Sequence, residues 1–350
     1  PQILTDLMAS RDAHKNEMKL AEADGNKHMY AFHDRLQESV KILMNSFYGV
    51  LASSFYRFTH PDLGASITAW ARRKVRGIIK QLTAEGSEVI YSDTDSIFVA
   101  VPMDNRPSPA KPSLSEDKEE WERARRRMIE FGERLAERYS STGEMLEFEK
   151  GLSAFFSHGA KKRYAGRVIY PRHETIVRGY EPRRTDGFPI QSRTLEVMFE
   201  HLLDDELGAA IELALDTTRR IKFGEIDSKD LVISRSCKGR IDKKTRKIDF
   251  SKDYVNPNSL AHVQTAMKRI ERGLTFTPGM KVSWIVTDAS MSPMTVEPYL
   301  IDEIGGEPPL PDYSFYTRRL ATALGRITEA FGWTAQDLIA GNRQTTLFSF

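Results

Sequence analysis

The chain has 350 residues, 40% of them hydrophobic, and a formal net charge of +2, so it is long enough for two compact units with cores of their own. A charge that small argues neither for nor against a polyanionic partner. The single cysteine, Cys237, excludes intramolecular disulfides and reads as a buried or neutral thiol. No apolar run reaches membrane-spanning length and no leader pattern opens the sequence, so a cytoplasmic setting without a membrane partner is expected.

Taken in chain order, Ile3 to Met18 carries Arg11 and Lys15 at helical i, i+4 spacing. Ala23-Asp24-Gly25-Asn26 supplies a turn signal. Then comes Lys41-Ile-Leu-Met-Asn45-Ser46-Phe47-Tyr48-Gly49, in which Lys41, Asn45 and Tyr48 at i, i+4 and i+7 stack a cation, an amide and an aromatic on one helical face. Two antiparallel helices joined at the turn would bring Arg11, Lys15 and Lys41 towards a common anion such as a triphosphate. Tyr48 offers a flat surface to a base or sugar. Gly49 either ends the helix or lets a base pair approach the backbone. For any one of these cations alone, a solvated helix face is the simpler reading.

Gly64 to Leu82 has helical periodicity through Ile67, Trp70, Ala71, Val75, Ile78, Ile79 and Leu82, and is expected to pack on a sheet. Glu88 to Val101 then reads as a β-hairpin with Tyr91-Ser-Asp-Thr-Asp-Ser96 at its tip. Asp93 and Asp95, two apart on an extended backbone, would point to one side. Carboxylates that close repel unless a cation lies between them, and hard oxygen ligands suit Mg²⁺. The alternative is an Asp/Thr/Ser-rich turn with no metal role.

A loop rich in proline (Pro107, Pro109, Pro112) follows, then a helix over Trp121 to Tyr139. Met145-Leu-Glu-Phe-Glu and Arg163 to Tyr170 are predicted as strands. Lys161 to Arg184 holds eight bases against two acids, and Arg219 to Lys247 eleven against four. Glu116 to Glu147 is the acidic counterweight, ten acids against seven bases, expected to be a solvated helix. Leu195 to Leu203 and Leu207 to Ile221 are helical candidates. The chain closes on Gly341-Asn-Arg and Gln344-Thr-Thr-Leu347-Phe348-Ser-Phe350, a polar hinge and an apolar tail.

Lys41 to Gly49 resembles the Lys-x-x-x-Asn-Ser-x-Tyr-Gly motif B of family B DNA polymerases, and Tyr91 to Ser96 resembles their motif C, Tyr-Gly-Asp-Thr-Asp-Ser. Lys161-Lys-Arg-Tyr-Ala-Gly166 is similar to the motif with which that family grips the primer–template duplex. Gly179-Tyr-Glu-Pro-Arg-Arg184-Thr-Asp186 is similar to the Gly-x-Glu-x-x-Arg-x-Asp segment that follows it. The resemblance weakens after about residue 200. Among subfamilies it is nearest to bacterial DNA polymerase II, with archaeal enzymes close behind. It implies an α+β, right-hand polymerase fragment: finger helices over 1–49, an antiparallel-sheet palm over 50–188, a mostly helical thumb over 189–340 and a tail over 341–350.

The implied reaction is template-directed DNA synthesis, nucleotidyl transfer from a dNTP to a primer 3′-hydroxyl with two Mg²⁺ ions. Asp93 and Asp95 are the implied metal ligands. Arg11, Lys15, Lys41, Asn45 and Tyr48 would bind nucleotide. Gly49, Lys161, Lys162, Arg163, Tyr164, Gly166 and Arg184 would contact DNA. Gln344, Leu347, Phe348 and Phe350 resemble the peptide that binds sliding clamps, although such a tail equally docks on its own domain.

Three departures qualify the likeness. No Asp-x-x-Ser-Leu-Tyr-Pro segment (motif A) and no exonuclease carboxylates occur, so the chain reads as the C-terminal part of a polymerase, inactive without an N-terminal part or split subunit. Ser92 replaces the usual glycine of motif C, and Asp186-Gly-Phe stands where Asp-Trp is common. A non-catalytic module for DNA binding and clamp tethering is the alternative.

Overall fold

The structure, a computed structural model, describes residues 2–57, 59–103, 118–141, 146–180, 187–242, 245 and 247–343. The chain divides into two compact units, Pro1–Pro102 and Met103–Phe350. The segment 50–188 expected as one palm is therefore shared between them.

In the first unit, helices α1 (Gln2–Ala23) and α2 (Lys27–Ala52) form an antiparallel hairpin. Gly25 turns the chain at φ +67°, and the Asn26 side chain caps α2 by accepting the Met29 N–H at 3.1 Å. Gly49 does not end α2. The helix runs on to Ala52, with open space around the glycine.

Helix α3 (Pro61–Ala84) starts on proline, and His60 Nδ1 accepts the Leu63 N–H. It crosses α2 at Gly64, where a Cβ would lie 2.8 Å from that of Ala52. Ile78 and Leu82 are buried in its C-terminal half, which lies beside the hairpin β1 (Val89–Asp93) and β2 (Ser96–Val99). The expectation of packing along the whole helix fails over its first turns, where Leu63, Ile67 and Trp70 are exposed.

The second unit opens with α4 (Lys118–Ser141) against an antiparallel meander of β3 (Gly151–Phe156), β4 (Tyr164–Tyr170) and β5 (Glu174–Arg178). Of the strand expected at Met145–Glu149, the described residues 146–149 are irregular, and pairing begins at Gly151. Phe148 instead stacks on Tyr170 at 4.9 Å between ring centroids, above Gly132, so side-chain packing rather than a ladder fixes this segment.

Helix α5 (Pro189–Leu203) lies on β3 and β4 and leads into α6 (Leu207–Lys222). A second sheet, order β10–β9–β6, interrupts the helices with β6 (Ile233–Ser236), β9 (Lys281–Asp288) and β10 (Thr295–Pro298). Between β6 and β9 come the short ribbon β7 (Arg240–Ile241) with β8 (Ile248–Asp249), and α7 (Ala261–Glu271), which covers β9 and β10. After β10 come α8 (Ile301–Ile304), α9 (Tyr313–Thr328) and α10 (Ala335–Ala340), the last helix among the described residues. Strands β9 and β10 fall within Thr275–Pro298, whereas β6 and the β7–β8 ribbon stand apart from it, in a region expected to be mostly helical.

One core joins these parts. Phe188, Leu195, Met198 and Phe199 meet Tyr316, Leu320 and Leu324 of α9, and Ile233, Trp284 and Ile285 of the second sheet. Cys237 lies within it. Burial pushes its thiol up to about 11, keeping it neutral.

Candidate functional site

The β1–β2 hairpin carries its two aspartates differently from the extended-strand expectation. Asp93 ends β1, paired with Ser96, whereas Asp95 sits in the turn. The Asp95 N–H donates to the Asp93 carbonyl at 2.6 Å, and Thr94 between them has φ +52°. This is a γ-turn centred on a β-branched residue in left-handed backbone, a conformation that costs of order 1–3 kcal/mol and persists only where the surroundings impose it. The strain falls on Thr94. Ser92 lies within the strand opposite Ile97, and its φ is not positive, so the serine replacing glycine is accommodated.

The tip is held by its own polar groups. Thr94 Oγ1 donates to Asp93 Oδ1 at 3.0 Å and Ser96 Oγ to the Asp93 carbonyl at 3.0 Å. Asp93 is half-buried and Asp95 exposed. Tyr91 packs edge-on to Phe98 below them. Two hard carboxylates at an open tip are a donor set that suits Mg²⁺. Among the described residues no group of three or more His, Cys, Asp or Glu is placed to hold a metal, so the pair by itself is not a complete ligand set.

In the α1–α2 hairpin, the pairs Arg11–Gln37 (3.4 Å) and His14–His33 (Nδ1 to Nδ1, 3.2 Å) fix the register. Extended by the same count, that register sets Lys41 about 6–8 Å along the axis from Arg11 and about 12–13 Å from Lys15. Arg11 is thus a turn from Lys41, while Lys15 lies farther off. Lys41, Asn45 and Tyr48 share one exposed face of α2.

The second unit holds a basic turn just ahead of β4. Lys161 and Lys162 are exposed, Arg163 is half-buried, and the Tyr164 ring stacks on Phe155. Lys162 adopts φ +65°. Gly179, at φ +70°, presses on this turn so closely that a Cβ would stand 2.1 Å from the Lys162 carbonyl oxygen. Gly166 corrects an expectation: it is buried under Leu152, whose Cδ2 would be 2.3 Å from an added Cβ, and so serves sheet packing rather than a nucleic-acid surface. Arg184 and the tail residues Gln344, Leu347, Phe348 and Phe350 lie outside the described residues.

Sequence reading missed Arg167. It is buried on β4, donating to Thr175 Oγ1 (2.9 Å), Glu200 Oε2 (2.7 Å) and Asp204 Oδ1 (2.6 Å). This cation among the eight counted over 161–184 is therefore spent on tying strand to helix. Its place between buried Ala165 and Ile169 at strand alternation was the available signal.

Residues 1–112 match the family model described as DNA polymerase family B. The "DNA polymerase" of Pyrococcus glycovorans is 28% identical over 347 residues, covering 97% of this chain and 40% of the relative. "DNA polymerase 2" of Aeropyrum pernix is 27% identical over 359 residues, covering 100% of this chain and 38% of the relative. The chain thus spans about two fifths of the length of these curated relatives. In fold it is similar to the family B DNA polymerase of the hyperthermophilic archaeon Pyrobaculum calidifontis, with a TM-score of 0.56 and 22% identity, over 95% of this chain and 38% of that one.

Proposed function

We propose that the chain, similar over nearly its whole length to the DNA polymerases of Pyrococcus glycovorans and Aeropyrum pernix, carries the fingers, motif C and thumb part of a template-directed family B DNA polymerase. The observation that carries this reading is the strained tip at Thr94, which sets Asp93 and Asp95 on either side of it within the same 102-residue unit as the α1–α2 hairpin that bears Arg11 and Lys41. Finger helices over 1–49, a palm over 50–188, a thumb over 189–340 and a clamp-binding tail over 341–350 go with it.

Each residue then has a defined task. Arg11 and Lys41, with Lys15 farther along the helix, bind the β- and γ-phosphates of a dNTP, and their charge acts most strongly once water is excluded. Asn45 and Tyr48 line the nascent base pair. Gly49, with nothing within 4 Å of its Cβ direction, leaves room for that pair to approach. Lys161, Lys162 and Arg163 hold the duplex through its phosphates, positioning it without reading sequence. Asp93 and Asp95 are the residues of this chain that would hold Mg²⁺. When bound, the ions supply activation of the primer hydroxyl and neutralisation of charge on the leaving pyrophosphate.

These 350 residues contain no Asp-x-x-Ser-Leu-Tyr-Pro segment, so a further carboxylate would come from polypeptide beyond them. Primer extension with Mg²⁺ and dNTPs tests the reading, with the chain alone and mixed with a polypeptide that carries motif A. Extension in the mixture, lost in Asp95→Ala, is expected. A second reading, a non-catalytic module for DNA binding and clamp tethering, draws on the two-carboxylate count among the described residues. Salt-sensitive DNA binding with no extension in any mixture would favour it.

A further inference from the structure

Helix α3 carries five cations, Arg72, Arg73, Lys74, Arg76 and Lys80, against one acid, Asp62. The neighbouring helices differ. α1 has three Lys/Arg against four acids, and α2 has three against two. At about 100° per residue, Arg72, Arg76, Lys80 and Arg73 fall within about 100° of arc, a single-signed stripe about 12 Å long. All four are exposed, and none makes an ion pair among the described residues. Gly77 stands beside them with nothing within 4 Å, so the approach is open. Lys74 points elsewhere, over the Trp70 ring at 5.2 Å. Asp62 lies ten residues before Arg72, about 15 Å along the axis, too far to neutralise the stripe.

We infer that this face of α3 binds the phosphate backbone of a nucleic-acid strand, as a contact additional to Lys161–Arg163. A stripe of this length can face two to three successive phosphates of a duplex strand. Three of its four members are arginines, whose planar guanidinium takes phosphate oxygens in pairs. An acidic protein would present carboxylates interleaved with other groups. An unbroken run of one sign over about two turns fits a regular polyanion better. The inference rests on the nucleic-acid reading above, and its test separates the two.

The full chain is titrated with fluorescently labelled duplex DNA by anisotropy at several salt concentrations. The same is done for Arg72→Gln/Arg73→Gln/Arg76→Gln/Lys80→Gln and for Lys161→Gln/Lys162→Gln/Arg163→Gln. Glutamine keeps helix propensity, and circular dichroism and the melting temperature verify that the exposed substitutions leave the fold intact. The α3 variant is expected to flatten the slope of log K against log salt by about 2–3, at roughly 0.9 per phosphate lost, and to bind at least about tenfold more weakly near 0.1 M salt. Unchanged slope and affinity in the α3 variant, with loss in the Lys161–Arg163 variant, overturns this inference and leaves the proposed function standing. Loss in the α3 variant alone supports it while removing the role given to Lys161–Arg163. No loss in either overturns both. Binding of poly-glutamate that disappears in the α3 variant while DNA binding persists also overturns it, and marks an acidic protein partner instead.

Discussion

Arg167 donates to Asp204 at 2.6 Å from the middle of β4 to the end of α5, with both side chains buried. The same guanidinium reaches Glu200 Oε2 at 2.7 Å and the Glu200 carbonyl at 3.3 Å, so it also satisfies the C-terminal end of that helix. The strand that follows the Lys161–Arg163 turn is fastened to the helical body at this point. Removing one partner leaves a buried charge without its counter-ion. Arg167→Met is expected to cost about 3–5 kcal/mol in urea unfolding, and Arg167→Met/Asp204→Leu to recover most of it. Glu200→Gln, with its side chain 40% exposed, should cost less than about 1 kcal/mol.

Gly179 and Lys162 are the second coupling. A methyl group at Gly179 would sit 2.1 Å from the Lys162 carbonyl oxygen, in left-handed backbone. Gly179→Ala should lower stability by about 1–3 kcal/mol and displace the Lys161–Arg163 turn. DNA affinity measured below the melting transition should fall while the helical content is unchanged. Wild-type affinity in that variant would show that the turn does not contact DNA.

Asp95 is exposed and lies in a turn, so its carboxylate contributes little to folding. Asp95→Ala should leave the melting temperature within about 1 °C, in line with surface substitutions of at most about 0.5 kcal/mol. Primer extension in the motif A mixture should drop by at least about 10²-fold. A drop in extension matched by a drop in stability would assign Asp95 to the turn alone.

Asp312 caps α9 and ties it to the β9–β10 connection, accepting the Phe315 and Ala289 N–H groups at 3.0 Å each. Burial alone would raise its pKa, but these N–H donors and the Ser314 hydroxyl outweigh it, and the carboxyl titrates below its ordinary value. A depressed folded pKa gives stability that is complete above the unfolded value near 3.9, and lost as pH falls through the lower folded one. Asp312→Ala should therefore cost about 1–2 kcal/mol at pH 7. The acid limb of the unfolding free energy should be shallower in Asp312→Asn than in the wild type.

The sequence by itself determined most of the elements. The period of Gly64 to Leu82 and of Leu207 to Ile221 returned as helices within a few residues. The apolar runs around Tyr91–Ser96 returned as a hairpin. These follow from local physics, since side-chain periodicity and turn chemistry act within a few residues. The identities of Lys41, Asn45, Asp93 and Asp95, and their order along the chain, were also legible without coordinates.

Only the tertiary structure decided which like residues do unlike things. Arg167 and Arg163 are equivalent in a count of charge, yet one is buried against two carboxylates and the other lies half-buried beside the exposed lysines. Asp93 and Asp95 are separated by strand and turn because Thr94 takes a conformation its side chain disfavours. Met145–Glu149 alternates like a strand, but the part of it described has no ladder partner, and Phe148 packs on Tyr170 instead. In each case the outcome depends on a partner distant in sequence or on a backbone conformation imposed from outside, and neither leaves a periodic trace along the chain.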